Sequence, residues 1–179
     1  MKKSIKSLIP TKKTAILVIA LFLVGTVRTQ AQSHGDHLMF DIGASYPKGF
    51  EASLAYEHET DYHNAWEYFA TAYLKYDEDP IVGHITNESF WHNYNTWDIG
   101  VAYKPCVSRG RNHHGSFRIG ASVGSDLDNV IGGAHVGYEH TYNLYYGWSV
   151  FFQVKEDIMI RCKDTFRTGV TIGVKIPLK

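Results

Sequence analysis

The chain has 179 residues, of which 18 are basic, 18 are acidic and 44% are hydrophobic. This hydrophobic content excludes an intrinsically disordered chain. The first 31 residues contain six basic side chains and no acidic ones, so the remaining 148 residues carry 12 basic and 18 acidic side chains, a formal charge of −6. An acidic chain of this size is expected to form one domain that does not bind a nucleic-acid backbone directly.

The amino-terminal segment has the pattern of an export signal. Lysines lie between Met1 and Lys13, and an apolar run from Thr14 to Gly25 follows them. The run has about 12 residues, fewer than the ~20 that a membrane-spanning helix needs, which favours a cleaved signal peptide over a retained anchor. Cleavage is predicted after Ala31. Residues 1–31 are therefore predicted to be a signal peptide, and residues 32–179 a single exported domain.

The rest of the chain alternates between apolar and polar residues with the period of two that is typical of β-strands. In the last segment, for example, apolar residues from Phe166 to Ile176 alternate with polar or small ones. Turn residues such as Pro47-Lys48-Gly49 separate the segments. The longest predicted loops are Asp77 to Asn93 and Pro105 to Gly115. The pattern predicts eight strands, at residues 38–46, 50–59, 66–76, 94–104, 116–125, 129–142, 146–160 and 165–178.

The length and number of these strands predict an all-β fold, an eight-stranded antiparallel up-and-down barrel that crosses a membrane. Strands of at least nine residues exceed the five or six residues common in soluble proteins, and they match the ~9–11 residues that cross a bilayer at a tilt. An even number of strands lets the sheet close with both termini at one end. Cys106 follows the fourth predicted strand and Cys162 the seventh, at opposite ends of such a barrel, so we expect two free thiols.

The two faces of the predicted strands differ in size and charge. One face is large and apolar, and the other is rich in glycine and in charged residues, for example Gly100, Gly120 and Gly173. Glycine within a strand indicates close approach of neighbouring groups, which favours a crowded interior for this face. Tyrosine and tryptophan near the strand ends are typical of membrane-interface girdles. We therefore expect the apolar face to contact lipid. The alternative is a soluble, lipocalin-like periplasmic ligand-binding barrel with the two faces reversed.

The charged face predicts a network of ion pairs inside the barrel. The interior of an eight-stranded barrel is just wide enough to be filled by side chains, and an unpaired buried charge is costly. His135 lies four residues before Glu139 on this face and is expected to join the network. The predicted lumen charge network comprises Asp41, Glu51, Glu57, Glu67, Lys75, Asp98, Lys104, Arg118, Glu139, Lys155, Arg167 and Lys175.

The sequence predicts no catalytic residue, no cofactor and no metal site. Ser89, His92 and Glu88 share a loop without a catalytic spacing. His113-His114 is expected in a solvated turn that lacks a third ligand. After cleavage, a terminus of Gln32-Ser33-His34 has the groups to chelate Cu²⁺ or Ni²⁺, although a flexible polar terminus is favoured.

The chain resembles the TraO family of proteins of Bacteroidetes conjugative elements. The similar segments in the second half are Gly132 to His140, Gly147 to Val154 and Phe166 to Lys175. In the first half they are Ala55 to His58 and Trp66 to Tyr76. The resemblance covers most of the exported domain, and the signal peptide and total length agree with it. It implies a conjugal-transfer accessory protein of the outer envelope, without catalytic residues.

The predicted function is an outer-membrane accessory component of a conjugative DNA transfer apparatus, with a structural or interaction role and no enzymatic activity. The expected partners are outer-membrane lipid and other conjugation proteins. A general small outer-membrane barrel with a structural or adhesive role is the alternative. Lys155 and Arg161, with Glu156-Asp157 between them, are where contacts with protein partners are expected.

Overall fold

The computed structural model describes residues 35–78, 81–91, 94–126 and 128–178. The predicted signal peptide at residues 1–31, its cleavage site and the Gln32-Ser33-His34 terminus lie outside these residues, as does His92. Among the described residues, no helix is long and apolar enough to cross a membrane.

Strands make up most of the described chain. A short helix, α1 (Asn87–Trp91), and two 3₁₀ turns (Asp61–His63 and Tyr145–Gly147) lie between them. The strands are β1 (Asp36–Tyr46), β2 (Gly49–Glu59), β3 (Ala65–Lys75), β4 (Tyr94–Lys104), β5 (Cys106–Arg109), β6 (His113–Ser125), β7 (Val130–Asn143), β8 (Ser149–Ile160) and β9 (Phe166–Leu178).

The strands form one antiparallel sheet that closes on itself. Neighbours in the sheet follow the order β4-β3-β2-β1-β9-β8-β7-β6, and β4 also pairs with β6, which completes the ring. Each of these strands is therefore hydrogen-bonded on both sides, and no long edge is left open. The prediction of an eight-stranded antiparallel up-and-down barrel is confirmed.

The ninth strand, β5, continues the course of β4 beyond Pro105. It pairs with the first residues of β6, and the N–H of Phe117 donates to the carbonyl of Pro105 at 3.0 Å. Proline has no N–H to donate to the ladder, which accounts for the interruption between β4 and β5.

The predicted loop from Pro105 to Gly115 is therefore wrong in part. β5 occupies four of its residues and β6 begins at His113, so only residues 110–112 connect the two strands. This hairpin lies beyond the apolar belt of the barrel, and its backbone pairs without an alternating apolar face that the sequence could reveal. Likewise β8 begins at Ser149, later than predicted, because Tyr145–Gly147 form a turn.

The large apolar side chains point away from the barrel axis. Phe117 is 51% exposed and Ile172 is 63% exposed, and Trp148 also lies on the outside. Their charged neighbours point inward, since Arg118 is only 5% exposed and Arg167 only 2%. The predicted orientation of the two faces is thus the one observed.

The outer apolar belt has the dimensions of a bilayer core. Strands β1 to β4 have eleven residues each. At about 3.3 Å per residue and a tilt of about 40°, eleven residues rise about 28 Å along the barrel axis, close to the apolar band of membrane barrels. Aromatic residues border the belt: Trp66 packs on Tyr103 with ring centroids 5.0 Å apart, and Tyr142 and Trp148 are exposed beside the same end.

The two ends of the barrel differ. The terminal end carries Asp36 and Leu178, which pair with each other at the start of β1 and the end of β9. The loop end, opposite to it, carries the long connection of residues 76–93 that contains α1. Cys106 follows β4 at the terminal end and Cys162 follows β8 at the loop end. Both cysteines are free, as predicted.

Gly124 and Gly132 provide a matched test of crowding inside the barrel. Gly124 faces inward on β6, where a Cβ would lie 2.0 Å from the carbonyl oxygen of Trp97. Gly132 faces outward on β7, where the nearest atom to a Cβ is the carbonyl oxygen of Ser122 at 3.9 Å.

We expect Gly124→Ala to lower the free energy of unfolding by about 1–3 kcal/mol, because the methyl group forces β4 and β6 apart. Gly132→Ala should change it by less than about 0.5 kcal/mol. Denaturant titration of the barrel folded in detergent measures both values. Equal effects of the two substitutions would show that the inner face is not the crowded one.

Candidate functional site

Lys104, the last residue of β4, is buried in the barrel interior. Its side chain is 1% exposed, and its ammonium group donates hydrogen bonds to the carboxylates of Glu57 and Glu139, the latter at 2.6 Å. The carboxylate of Glu67 lies 3.2 Å from the same nitrogen. These four residues come from β2, β3, β4 and β7, so a single ammonium group connects opposite walls of the barrel.

Two further cations complete this cluster. Lys175 on β9 donates to Glu57 at 2.6 Å and lies 2.8 Å from Glu139. The guanidinium of Arg118 on β6 contacts Glu67 through Nε at 2.9 Å and Nη2 at 2.8 Å. The numbers of acidic and basic groups are equal, as burial of charge requires. We call this cluster the central network; it comprises Glu57, Glu67, Lys104, Arg118, Glu139 and Lys175.

A second ion-pair cluster lies on the interior face of β2, β7 and β8. Lys155 bridges the carboxylates of Glu51 at 3.0 Å and Asp157 at 3.2 Å. Asp157 in turn lies 2.6 Å from Nδ1 of His135, whose Nε2 is 2.7 Å from the hydroxyl of Ser122. The histidine therefore joins the interior polar contacts and is held from both sides of its ring.

A third cluster lies near the loop end of the barrel. Lys75 donates to Asp164 at 2.5 Å. Arg167 packs over the ring of Tyr73, with its Cζ 3.8 Å from the ring centroid, and its Nη2 is 2.6 Å from the sulfur of Cys162. Side chains from the β8–β9 turn therefore close this end of the interior.

All twelve residues of the predicted lumen charge network lie on the inner face, but they are not equally well paired. Nine form ion pairs, and Arg167 is held by hydrogen bonds. Asp41 and Asp98 are on the same face without an ion pair to another described residue. The sequence reasoning left out Asp157 and Asp164, which the structure adds to these clusters.

The expected partner contacts around β8 need correction. Lys155 and Asp157 are 6% and 5% exposed, because they share the inward face of β8 with Gln153. Glu156 points outward and accepts a hydrogen bond from Thr168. Among the charged residues from Lys155 to Arg161, only Arg161 is exposed, and it lies beyond the end of β8. The alternation of the strand already predicts that Lys155 and Asp157 share one face of β8 and that Glu156 lies on the other.

The carboxylates of Glu57, Glu67 and Glu139 approach one another closely enough to suggest a metal site. Their oxygens lie within 4.8 Å of one another, and no other group of three or more potential ligands in the described ranges does so. The ammonium group of Lys104, however, contacts all three carboxylates. The three carboxylates therefore bind the Lys104 ammonium group in the place that a metal ion would take.

The solvated turn predicted for His113-His114 is wrong, because both residues lie in β6. His113 points outward and stacks on His140, with ring centroids 5.2 Å apart. His114 points inward, is 7% exposed, and stacks on His63 with centroids 4.6 Å apart and planes 7° apart. The sequence does not reveal this contact because His63 belongs to the distant β2–β3 turn.

The loop end contains polar contacts outside the strands. Lys48 donates to Asp77 at 2.7 Å, and this hydrogen bond lowers the pKa of the Asp77 carboxyl. The backbone N–H of Asn129 donates to Asp126 at 2.7 Å and lowers the pKa of that carboxyl. Ser89 is on α1, where its hydroxyl accepts from the backbone N–H of Thr86 at 3.0 Å. These contacts order the turns at the loop end.

Comparison with solved structures gives a likeness in fold. No protein-family model matches the chain, and no curated protein matches it. A solved chain titled "De novo design of transmembrane beta-barrels" has a TM-score of 0.52 and 9% sequence identity, and the match covers 84% of this chain and 100% of that chain. This protein is a small β-barrel that resembles transmembrane barrels. At this identity the likeness concerns the fold alone.

Proposed function

We propose that the protein is an outer-membrane barrel whose apolar belt lies in lipid. The observation that carries this proposal is the distribution of side chains on the two faces of the sheet. Large apolar residues such as Phe117 and Ile172 face outward, and paired charges fill the interior. A soluble ligand-binding barrel has the opposite arrangement, with an apolar interior and a polar surface. The predicted signal peptide supports export from the cytoplasm.

The filled interior favours a structural barrel fixed in the membrane over a channel. Eight strands leave a lumen that side chains can fill, and here the ion pairs of the central network link opposite walls. Packed aromatic and aliphatic side chains fill further space, with Phe69 and Phe151 in the interior. In this proposal the barrel holds the connection of residues 76–93 at one membrane surface and the turns of the terminal end at the other.

We further propose that these surfaces serve a conjugative DNA transfer apparatus, as an accessory component with a structural or interaction role. The resemblance to the TraO family supports this assignment. The β3–β4 connection is the longest exposed segment at the loop end, and Ile81 and Val82 within it are exposed apolar residues. Such residues are suited to contacts with other proteins.

Deletion of the gene from a conjugative element tests the conjugation role. We expect transfer frequency to fall in the deletion strain and to return when the intact gene is supplied in trans. Membrane fractionation of the same strains places the protein independently. Recovery in the outer-membrane fraction with unchanged transfer would favour a general small envelope barrel, and recovery as a soluble periplasmic protein would contradict the membrane proposal as well.

A further inference from the structure

Two histidines face outward at the terminal border of the apolar belt. His113, the first residue of β6, is opposite Tyr142 of β7, and its ring stacks on that of His140 with centroids 5.2 Å apart. The ring of His140 in turn lies 4.8 Å from that of Tyr142. Gly115 has no side chain and so leaves space for the Tyr138 hydroxyl, which lies 2.9 Å from Nδ1 of His140. We call His113, Tyr138, His140 and Tyr142 the outer histidine cluster.

The outer histidine cluster presents hydrogen-bond donors. The Tyr138 hydroxyl donates to Nδ1 of His140 when the imidazole proton is on Nε2. Nδ1 of His113 is buried without a partner among the described residues, and a buried N–H is harder to leave unpaired than a buried acceptor, so its proton is also expected on Nε2. Two imidazole N–H groups on one outer wall suit an acceptor such as a phosphate oxygen.

Positive charge lies beside this cluster. Arg111 is exposed in the turn of residues 110–112, two residues before His113. The turn is held against β7, because the N–H of Asn143 donates to the carbonyl of Asn112 at 2.8 Å. No Asp or Glu occurs in residues 105–117. A guanidinium group with imidazole donors beside it matches a phosphate group, since arginine binds phosphate oxygens through several N–H groups.

An apolar groove begins at the same cluster. It has a volume of about 580 Å³ and runs over the outer faces of β8, β9 and β1. Tyr142 borders the groove, and the ring of Phe152 in its wall lies 5.7 Å from that of His140. A hydrocarbon chain can therefore lie in the groove while the polar group attached to it reaches the histidines. The apolar lining consists of Phe40, Ile42, Val150, Phe152, Ile172 and Val174.

We propose that the outer histidine cluster and this groove together bind one anionic phospholipid. The phosphate accepts hydrogen bonds from Nε2 of His113 and His140 and from the guanidinium group of Arg111, and an acyl chain lies in the groove. The inference rests on the membrane location proposed above, and it adds one specific lipid to the general contact between the belt and the bilayer. The polar cluster selects the headgroup, and the groove retains the chain.

Native mass spectrometry of the exported barrel in a neutral detergent tests the site. The barrel is titrated with phosphatidylglycerol or with phosphatidylcholine that carries the same acyl chains. We expect one phosphatidylglycerol per barrel, bound about tenfold more tightly than phosphatidylcholine, since the choline group offsets the phosphate charge that Arg111 attracts. Arg111→Gln and His113→Ala should each weaken phosphatidylglycerol binding about tenfold, as expected for one hydrogen bond to a charged group. Arg161→Gln is the matched control, because it removes an exposed arginine at the loop end and should leave binding unchanged.

Two further measurements separate the groove from the polar cluster. Val174→Trp fills the groove and should weaken the binding of both lipids, while circular dichroism stays unchanged because the side chain faces outward. Glycerol 3-phosphate carries the charged group without acyl chains and should not displace the bound lipid.

Equal affinity for the two lipids would overturn the proposal. So would a preference that survives Arg111→Gln and His113→Ala, an equal loss with Arg161→Gln, or displacement of the lipid by glycerol 3-phosphate. A barrel that inserts into phosphatidylcholine vesicles but binds the two lipids equally contradicts the lipid site alone. Failure to insert into vesicles of either lipid contradicts the membrane location as well.

Discussion

Replacing Lys104 with methionine is expected to lower the free energy of unfolding by about 3–5 kcal/mol. The substitution leaves the carboxylates of Glu57, Glu67 and Glu139 close together without the ammonium group that contacts all three. Breaking a buried ion pair on one side costs more than the pair contributes, because the remaining charges stay buried. Denaturant titration in detergent or lipid vesicles, followed by tryptophan fluorescence, gives the value.

Two further variants make this prediction specific to the interior. Lys48→Met removes an exposed ion pair with Asp77 and should lower the free energy of unfolding far less than Lys104→Met does. Adding Glu139→Gln to Lys104→Met removes one of the uncompensated charges, so the double variant should recover part of the lost stability. A Lys104→Met protein as stable as Lys48→Met would mean that the central network does not hold the walls of the barrel together.

The second large effect is expected on the outer face. Ile172 lies in the middle of β9, between Ile42 of β1 and Phe152 of β8, and 63% of it is exposed. In a bilayer, Ile172→Arg should cost about 2–4 kcal/mol, because it places a charge near the midplane. Val130→Arg, at the loop-end border of the belt, should cost about 0–1 kcal/mol.

Unfolding titrations of both arginine variants in lipid vesicles give the comparison. The parent protein in the same vesicles is the reference. If Ile172→Arg and Val130→Arg have the same small effect, the outer face meets water at both positions, as it would in a soluble barrel.

The strands could be predicted because a barrel wall separates two environments. Every second residue meets the same environment, so the period of two runs through almost every strand, as from Phe166 to Ile176 in β9. The same alternation places Arg118 and Arg167 inside. The prediction of a loop from Pro105 to Gly115 was wrong because the sheet extends past the apolar belt there. β5 and the start of β6 pair through backbone hydrogen bonds, which do not require an alternating pattern of side chains.

The partners of the interior residues could not be predicted to the same extent. Strand alternation fixes the face of each residue, but the stagger between strands decides which residues meet. Glu57 and Lys175 are 118 positions apart, and closure of β1 against β9 brings them into contact. The pairing of His63 with His114 has the same origin. The sequence therefore predicts most members of the charged interior, although not Asp157 and Asp164, and it does not predict which of them are in contact.

The central claim, that the apolar outer face lies in lipid, is tested most directly by spin labelling. A nitroxide is attached at Ile172→Cys in a chain that also carries Cys106→Ser and Cys162→Ser, and the barrel is folded into lipid vesicles. A label at Ile81→Cys, in the exposed β3–β4 connection, is the comparison. At position 172 we predict frequent collisions with oxygen, which partitions into lipid, and few with a water-soluble nickel chelate, with the reverse at position 81. Frequent chelate collisions at both positions would contradict the account.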